Sequence, residues 1–329
     1  MKKLMLVLAL LAIGSAANAA LVAEWSFSNN LSDTATGGST ADNLVGMMQY
    51  AGNGAFDRSF TNYKTDGTTE VIASCVQAPT YQAGISGNAV RIGARGVHNY
   101  TGTNTYPNAS TYQVPTSGAT FLQTTSDSVG SDLDLQSGSF TMEGFFKADA
   151  VGSLGVENSG LGEFAYTRLL TKWVSGFNQN FHFTIHSGKL EIIQKNSMGG
   201  NVTIASTNTV APKADEWFYI AAVGNAETET IGLYFYVKNE LGVVVGGLVG
   251  SGVYDGSMYD STSPFYIGGR LDIPNSIASN NGFTGLVDEV RLWDEAVSTA
   301  YLLERAEMIP EPATMAILAL GGLLIRRKK

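Results

Sequence analysis

Apolar and polar positions alternate with a period of two through most of the chain, as in strands with one buried face. Leu21, Ala23, Trp25 and Phe27 share one side of residues 21–27, and Phe140, Met142 and Phe146 share one side of residues 139–147. Residues 181–186 alternate as cleanly. Ser187 and Gly188 separate them from the apolar run at 189–193, so the two segments predict a hairpin. Further strands are predicted at 88–92, 168–173, 201–205, 217–223, 231–237, 242–249, 264–267 and 283–293. Helical periodicity is scarce. One candidate begins at Ser298, a good N-cap, and runs to Glu307. Residues 34–80 and 93–132 are rich in Gly, Thr, Asn and Ser with weak periodicity, and read as long loops or insertions that suit binding residues. Many short strands with little helix predict an all-β, two-sheet antiparallel jelly-roll sandwich.

The two ends break this pattern. Lys2 and Lys3 precede a charge-free apolar run at 4–13, and small residues follow, ending in Ala17-Asn18-Ala19. These are the three parts of a secretory signal, with cleavage expected after Ala19 and passage through the Sec translocon. At the other end Pro310-Glu311-Pro312 is followed by the charge-free residues 313–325 and then Arg326-Arg327-Lys328-Lys329. As a helix that run covers about 20 Å, short of the hydrocarbon core of about 30 Å. The four cations predict a tail whose end stays cytoplasmic, with the rest exported. A retained anchor is the alternative at either end.

Order, spacing and position of these residues resemble the PEP-CTERM sorting signal of Gram-negative bacteria. The resemblance implies recognition by an exosortase, cleavage near Pro310-Glu311-Pro312, and delivery to the cell surface or extracellular matrix through a membrane-anchored intermediate. The domain division is then a signal peptide at 1–19, a sandwich at 20–307 and a sorting signal with a short membrane helix at 308–329.

Composition fits an exported, loop-rich β protein: charged residues are 15% and glycines number 38. Six of the 20 basic residues lie in the terminal signals, leaving 14 against 29 acids, a net −15 for the body. That balance disfavours nucleic acid and anionic lipid as partners. Cys75 is the single cysteine, so no internal disulfide forms. It is either a buried apolar residue or a pairing site between chains.

Six pieces in order carry a second resemblance: residues 21–27, 84–90, 139–146, 216–221, 266–269 and 283–293, the last followed by the short helix. They resemble the laminin-G-like, concanavalin A-like jelly roll over residues 21–308. Phe218 and Tyr219 stand where the family has a histidine pair, and the first insertion is unusually long. The resemblance implies two packed antiparallel sheets, one concave, in a family whose members bind glycans, proteins or calcium, some relatives being glycoside hydrolases.

Candidate chemistry is sparse. A retaining glycosidase needs two carboxyl groups about 5–5.5 Å apart. Asp132-Leu133-Asp134 lacks the third acid of a laminarinase-type run, Asp288 and Glu289 are adjacent and so point to opposite faces, and Glu143 stands alone in its strand. No catalytic residue is assigned and the chain is read as non-enzymatic. Asp288 is a candidate calcium ligand, since hard cations take oxygen donors. Its alternative is a hydrogen bond or ion pair, as is that of Glu289, which shares a face with Arg291. Tyr100, Tyr106 and Tyr112 recur at six-residue spacing in a polar stretch and suit glycan stacking, or packing of a loop on the sandwich. Trp25, Trp173, Trp217 and Trp293 sit among core residues, and at least three are expected in the core. His182 and His186 share a strand face about 13 Å apart, too far for one metal, and are expected to be exposed. The reading is an exported protein that binds carbohydrate, such as exopolysaccharide. A structural surface protein without a ligand and a glycoside hydrolase of the same fold are the alternatives.

Overall fold

The computed structural model describes residues 21–35, 43–48, 75–76, 79–92, 96–98, 112–114, 121–124, 132–136, 138–149, 166–173, 179–196, 198–210, 212–269 and 283–311. In chain order the strands are β1 (Leu21–Trp25), β2 (Leu44–Met48), β3 (Cys75–Val76), β4 (Thr80–Ala83), β5 (Asn88–Ile92), β6 (Gly96–His98), β7 (Tyr112–Val114), β8 (Phe121–Thr124) and β9 (Phe140–Ala148). They continue with β10 (Tyr166–Trp173), β11 (Gln179–His186), β12 (Lys189–Lys195), β13 (Asn201–Ala205), β14 (Trp217–Asn225), β15 (Thr230–Lys238), β16 (Val244–Val253), β17 (Tyr266–Ile267) and β18 (Gly285–Trp293), before helix α1 (Thr299–Glu307).

Two antiparallel sheets form a sandwich. The first runs β16-β15-β14-β9-β18-β5-β4 with β1 also on β18, and the second runs β13-β12-β11-β10-β17-β8-β2-β3. Cross-strand pairing builds an apolar row on each inner face. In the first sheet Val237, Phe218, Phe146, Val287, Val90 and Tyr81 stand opposite one another in turn. In the second the row is Leu122, Ile267, Leu170, Phe183, Ile192 and Ile204. All twelve belong to, or pack on, one core. Burying each large apolar side chain contributes about 1.5–3 kcal/mol. Trp25 closes one part of this core by stacking on Phe265 at 5.2 Å.

The hairpin read from residues 181–193 is β11–β12, joined by Ser187 and Gly188 with φ of 49° and 74°. Two consecutive left-handed residues are what a tight hairpin turn needs, and Gly188 takes that conformation without steric cost. Helix α1 begins where Ser298 Oγ accepts the Tyr301 amide at 3.2 Å. It packs on the outer face of the first sheet, over Phe145, Tyr219, Ala221 and Tyr236.

The segments 34–80 and 93–132, read as loops, also contain β2, β3, β6, β7 and β8. β2, β3 and β8 extend the second sheet, while among the described residues β6 and β7 pair with each other alone. These strands have two to five residues, below the length at which periodicity is legible. Cys75 lies in β3 opposite Met48. Among the described residues no helix is long and apolar enough to cross a membrane. Ala17, Ala19, Pro312, the apolar run 313–325 and Arg326, Arg327, Lys328 and Lys329 lie outside the described residues.

Candidate functional site

Next to the core row of the second sheet runs a row pointing the other way. Gln123, Tyr266, Thr171, His182, Ile193 and Thr203 stand opposite one another in turn across β8, β17, β10, β11, β12 and β13. Each is one residue from its core-row neighbour, so the six face away from the core. Arg168, Thr184, Glu191 and Ala205 form a second outward row. Trp173, further along β10, lies 4.4 Å from His182 by ring centroids. An outward face of an antiparallel sheet is ordinarily polar and wet. This one is polar and covered: Thr171, Thr184, Tyr266, Arg168, His182, Glu191 and Trp173 are all buried.

Three oxygens on this face are shielded from water and have no hydrogen-bond partner: Thr171 Oγ1, Gln123 Oε1 and Glu191 Oε1. The other Glu191 oxygen, Oε2, lies 3.3 Å from His186 Nδ1. A buried polar group left unpaired costs about 1–3 kcal/mol. Unmet polar atoms also occur elsewhere, at both polar atoms of Gln194 on the core side of the same sheet and at Asn180 Oδ1, Asp33 Oδ2 and Arg305 Nε. Glu191 is the one carboxylate on this face among the described residues.

The other buried carboxylates are spent on internal partners. Asp134, fully buried, pairs with the fully buried Lys172 at 3.0 Å. It also accepts from the Ser261 amide at 3.1 Å, and Lys172 donates to the carbonyls of Ser261 and Ser263, both at 2.8 Å. Glu143 accepts from the hydroxyls of Tyr219 and Tyr301 and from the Trp293 indole, beneath helix α1. Burial first, and then the Glu143 charge, push the Tyr219 hydroxyl well above its ordinary range, so it stays protonated as the donor. Glu289 pairs with Arg291 at 2.9 Å and Arg305 at 3.3 Å, which is the ion-pair alternative weighed for it from the sequence.

Asp288 is fully buried and turns its Oδ2 to the amides of Ile85, at 2.6 Å, and Ser86, at 3.5 Å, while Oδ1 accepts the Glu289 amide at 2.9 Å. Both oxygens therefore serve as acceptors for backbone donors. Burial pushes its carboxyl up to about 6, against the opposing pull of the Ile85 amide. No group of three His, Cys, Asp or Glu side chains able to hold a metal ion occurs among the described residues.

Other sequence expectations fare unevenly. His182 is buried against Trp173 and not exposed, because the outward face of the second sheet is covered. Trp25 and Trp173 are buried, but Trp217 and Trp293 are only half-buried, so the expectation of at least three core tryptophans is not met. Trp293 instead flanks α1, its ring 5.6 Å from that of Tyr301. Tyr100 and Tyr106 lie outside the described residues, and Tyr112 begins β7 opposite His98. Pro310 and Glu311 are exposed at the end of the described chain. Thr171, Gln123 and Glu191 escaped sequence reasoning. Their signal was a polar residue beside each apolar one in strands of the hairpin sheet, which reads by default as a wet face.

A family model described as the concanavalin A-like lectin/glucanases superfamily matches residues 117–301, more than half of the chain. The chain belongs to this superfamily. Among solved structures, this concanavalin A-like chain is similar to the binding domain of Paraclostridial Mosquitocidal Protein 1, with 13% identity, 80% of this chain and 51% of the other covered, and a TM-score of 0.42. It is similar to the receptor binding domain of Botulinum Neurotoxin Type G, with 9% identity, 88% and 51% covered, and a TM-score of 0.44. The CBM40 of Ruminococcus gnavus IT-sialidase, bound to alpha2,3 sialyllactose, gives 13% identity, 56% and 92% covered, and a TM-score of 0.38. The chain thus spans about half the length of the two toxin domains. No curated protein matches this superfamily member.

Proposed function

We propose that this protein binds carbohydrate without turning it over, through the outward face of the second sheet. The observation that carries the reading is the set of buried oxygens on that face with no partner: Thr171 Oγ1, Gln123 Oε1 and Glu191 Oε1. A polyhydroxylated chain supplies the donors they lack. Gln123 and Glu191 are four strands apart in the sheet order, about 20 Å at the usual strand spacing, which suits an oligosaccharide segment over a single sugar. Glu191, the one carboxylate on this face among the described residues, does not by itself make the pair a retaining hydrolase uses. Superfamily membership is compatible with binding and with hydrolysis alike, so the site and not the fold supports the choice. The test is a glycan array probed with the full chain, with and without calcium. Binding that is lost in Thr171→Val and Glu191→Gln variants supports the reading. No binding to any polysaccharide in either condition overturns it in favour of a surface protein without a ligand, and release of reducing sugar overturns it in favour of a hydrolase.

The ends of the chain support a destination for that activity. We infer export by the signal at residues 1–19 and sorting of the tail by an exosortase at Pro310-Glu311-Pro312, to the surface or matrix of a Gram-negative cell. The sequence pattern carries this inference. Deletion of residues 310–329 followed by cell fractionation tests it, and unchanged processing and location would sink it.

A further inference from the structure

Exposed apolar side chains collect on one side of the sandwich. Apart from Met198, every large apolar side chain exposed among the described residues lies on β16, on the turn before it, or on α1 and the residue that caps it. β16 stands at one end of the first sheet. The turn that leads into it is held by one side chain. Asn239 Oδ1 accepts the amides of Leu241 and Val243, both at 3.0 Å, and the Asn239 amide donates to the Val243 carbonyl at 2.9 Å. Gly242 takes a φ of 74° between them, and Leu241 and Val243 are held out at 73% and 55% exposure.

The described chain leaves the fold at this same turn. Lys238 Nζ donates to the Glu307 carbonyl at 3.0 Å, which ties the end of β15 to the last turn of α1. Ile309 is buried in the cluster with Leu302 and Tyr219, and Met308 beside it is exposed. Glu311 then lies against Gly242, where a Cβ on the glycine would stand 3.5 Å from the Glu311 side chain. One residue, Pro312, separates Glu311 from the charge-free residues 313–325. A single residue spans at most about 3.6 Å, so whatever that run enters comes up close to Leu241, Val243 and Met308. Glu240, Glu307 and Glu311 are exposed around them, which suits a zwitterionic surface over an anionic one.

We propose that Leu241, Val243 and Met308 rest in the headgroup region of the lipid bilayer that the tail enters, so that the sandwich stands end-on, with the turn at 239–243 on the membrane and the far end of β16 away from it. This inference rests on the tail reading above and adds a docked orientation to it. An apolar group at a bilayer interface sits about 5–10 Å deep. Val253, as exposed as Leu241 at 73%, ends β16, about 30 Å along the strand from Val244. The two side chains are equally open to water, and only the docked orientation separates them.

The experiment reconstitutes the full chain in phosphatidylcholine vesicles, with Cys75→Ala and one fluorophore on a cysteine placed by Leu241→Cys, Val253→Cys or Met308→Cys. Flotation with the vesicles that is lost on deletion of residues 310–329 reports the tail. Quenching by lipids spin-labelled near the headgroup reports the turn. Labels at positions 241 and 308 are expected to be quenched at least about threefold more than the label at position 253. The variant Leu241→Glu/Val243→Glu is expected to float as the parent does, keep its circular dichroism spectrum, and lose at least about half of the quenching at position 308. Quenching at position 308 that survives both charges overturns docking and leaves a tether alone. Equal quenching at positions 241 and 253 overturns the end-on orientation, and no quenching at position 241 on a chain that floats overturns the contact altogether. In these three cases the tail reading stands. A chain that does not float, or that floats without residues 310–329, overturns the tail reading and the inference with it.

Discussion

Tyr301 of helix α1 donates its hydroxyl at 2.8 Å to Glu143 of β9, 158 residues earlier in the chain. Around this bond the helix is fastened to the first sheet by charge. Arg305 lies 3.8 Å from Glu143 and 3.3 Å from Glu289, and Arg291 bridges Glu289 to Glu24 of β1 through a 2.6 Å bond from its Nε. Glu143 and Arg291 are direct cross-strand partners, so the sheet register itself places the acid beside the base. A fully buried carboxylate has no function-first explanation here, because its neighbours already saturate it.

Glu143→Gln keeps the shape and removes the charge from this cluster. Breaking a buried, hydrogen-bonded charge set by removing one member costs about 3–5 kcal/mol. Tyr301→Phe deletes a single bond to a charged group and should cost less, about 1.5–3 kcal/mol. Urea unfolding midpoints of both variants check the order. Glycan binding should be unchanged in both, since the cluster lies on the other sheet, and a loss of binding at intact fold would move the site to the helix side.

Asp288 sets a pH dependence. Its carboxyl sits at about 6 in the folded chain against an ordinary 3.8. A folded state that holds its proton to higher pH binds more protons than the unfolded state between those values. Stability from this group is therefore present below about pH 4 and lost as pH rises through about 6, by up to about 3 kcal/mol. Asp288→Asn should remove this part of the slope between about pH 4 and about pH 7. At the acid end of that range it should lie close to the parent, because the protonated carboxyl, like the amide, has one atom that cannot accept a backbone N–H. Thermal midpoints of the two proteins across that window decide it. A parallel fall in both proteins would assign the slope to other groups.

The loop that caps Asp288 leaves no room at Gly84. A Cβ there would collide with the Asp288 carboxylate and stand 2.6 Å from the Ala89 amide nitrogen. Backbone atoms cannot give way as a flexible side chain can. Gly84→Ala should cost about 1–3 kcal/mol and shift the pH slope of Asp288, whose amide contacts it would push apart. Equilibrium unfolding at two pH values reads both effects.

This contact also shows what the sequence makes legible. Residues 84–90 and 283–293 stood out as two separate resemblance pieces, and folding joins them through one carboxylate on the Ile85 amide. Turn chemistry and caps were readable because they are local: Ser187-Gly188 gives the hairpin and Ser298 caps the helix. The parity of β10 was not readable, because a register shift between Arg168 and Leu170 puts both Leu169 and Leu170 in the core. Glu143 looked solitary in its strand because its partners Tyr219, Trp293 and Tyr301 lie 76 to 158 residues away. The covered polar face was hidden for the same reason. Alternation tells which residues share a side, and only the assembled sheets tell which side is wet.

Thr171 separates a structural reading of that face from a functional one. Its hydroxyl is fully buried and unpaired, in the middle of the outward row. Valine has nearly its shape and no hydrogen-bonding group, so Thr171→Val removes an unmet polar atom without opening a cavity. The variant should be more stable than the parent by about 1 kcal/mol, seen as a higher urea midpoint. It should also bind glycan several-fold more weakly, because the ligand hydroxyl that met Thr171 Oγ1 is now desolvated against a methyl group. A gain in stability paired with a loss of binding is the trade-off expected where a polar group is kept for a ligand. If stability rises and binding is untouched, Thr171 is a packing residue and the ligand lies elsewhere on the face. If stability falls, the hydroxyl has an internal partner and the unmet-oxygen argument for this site loses its centre.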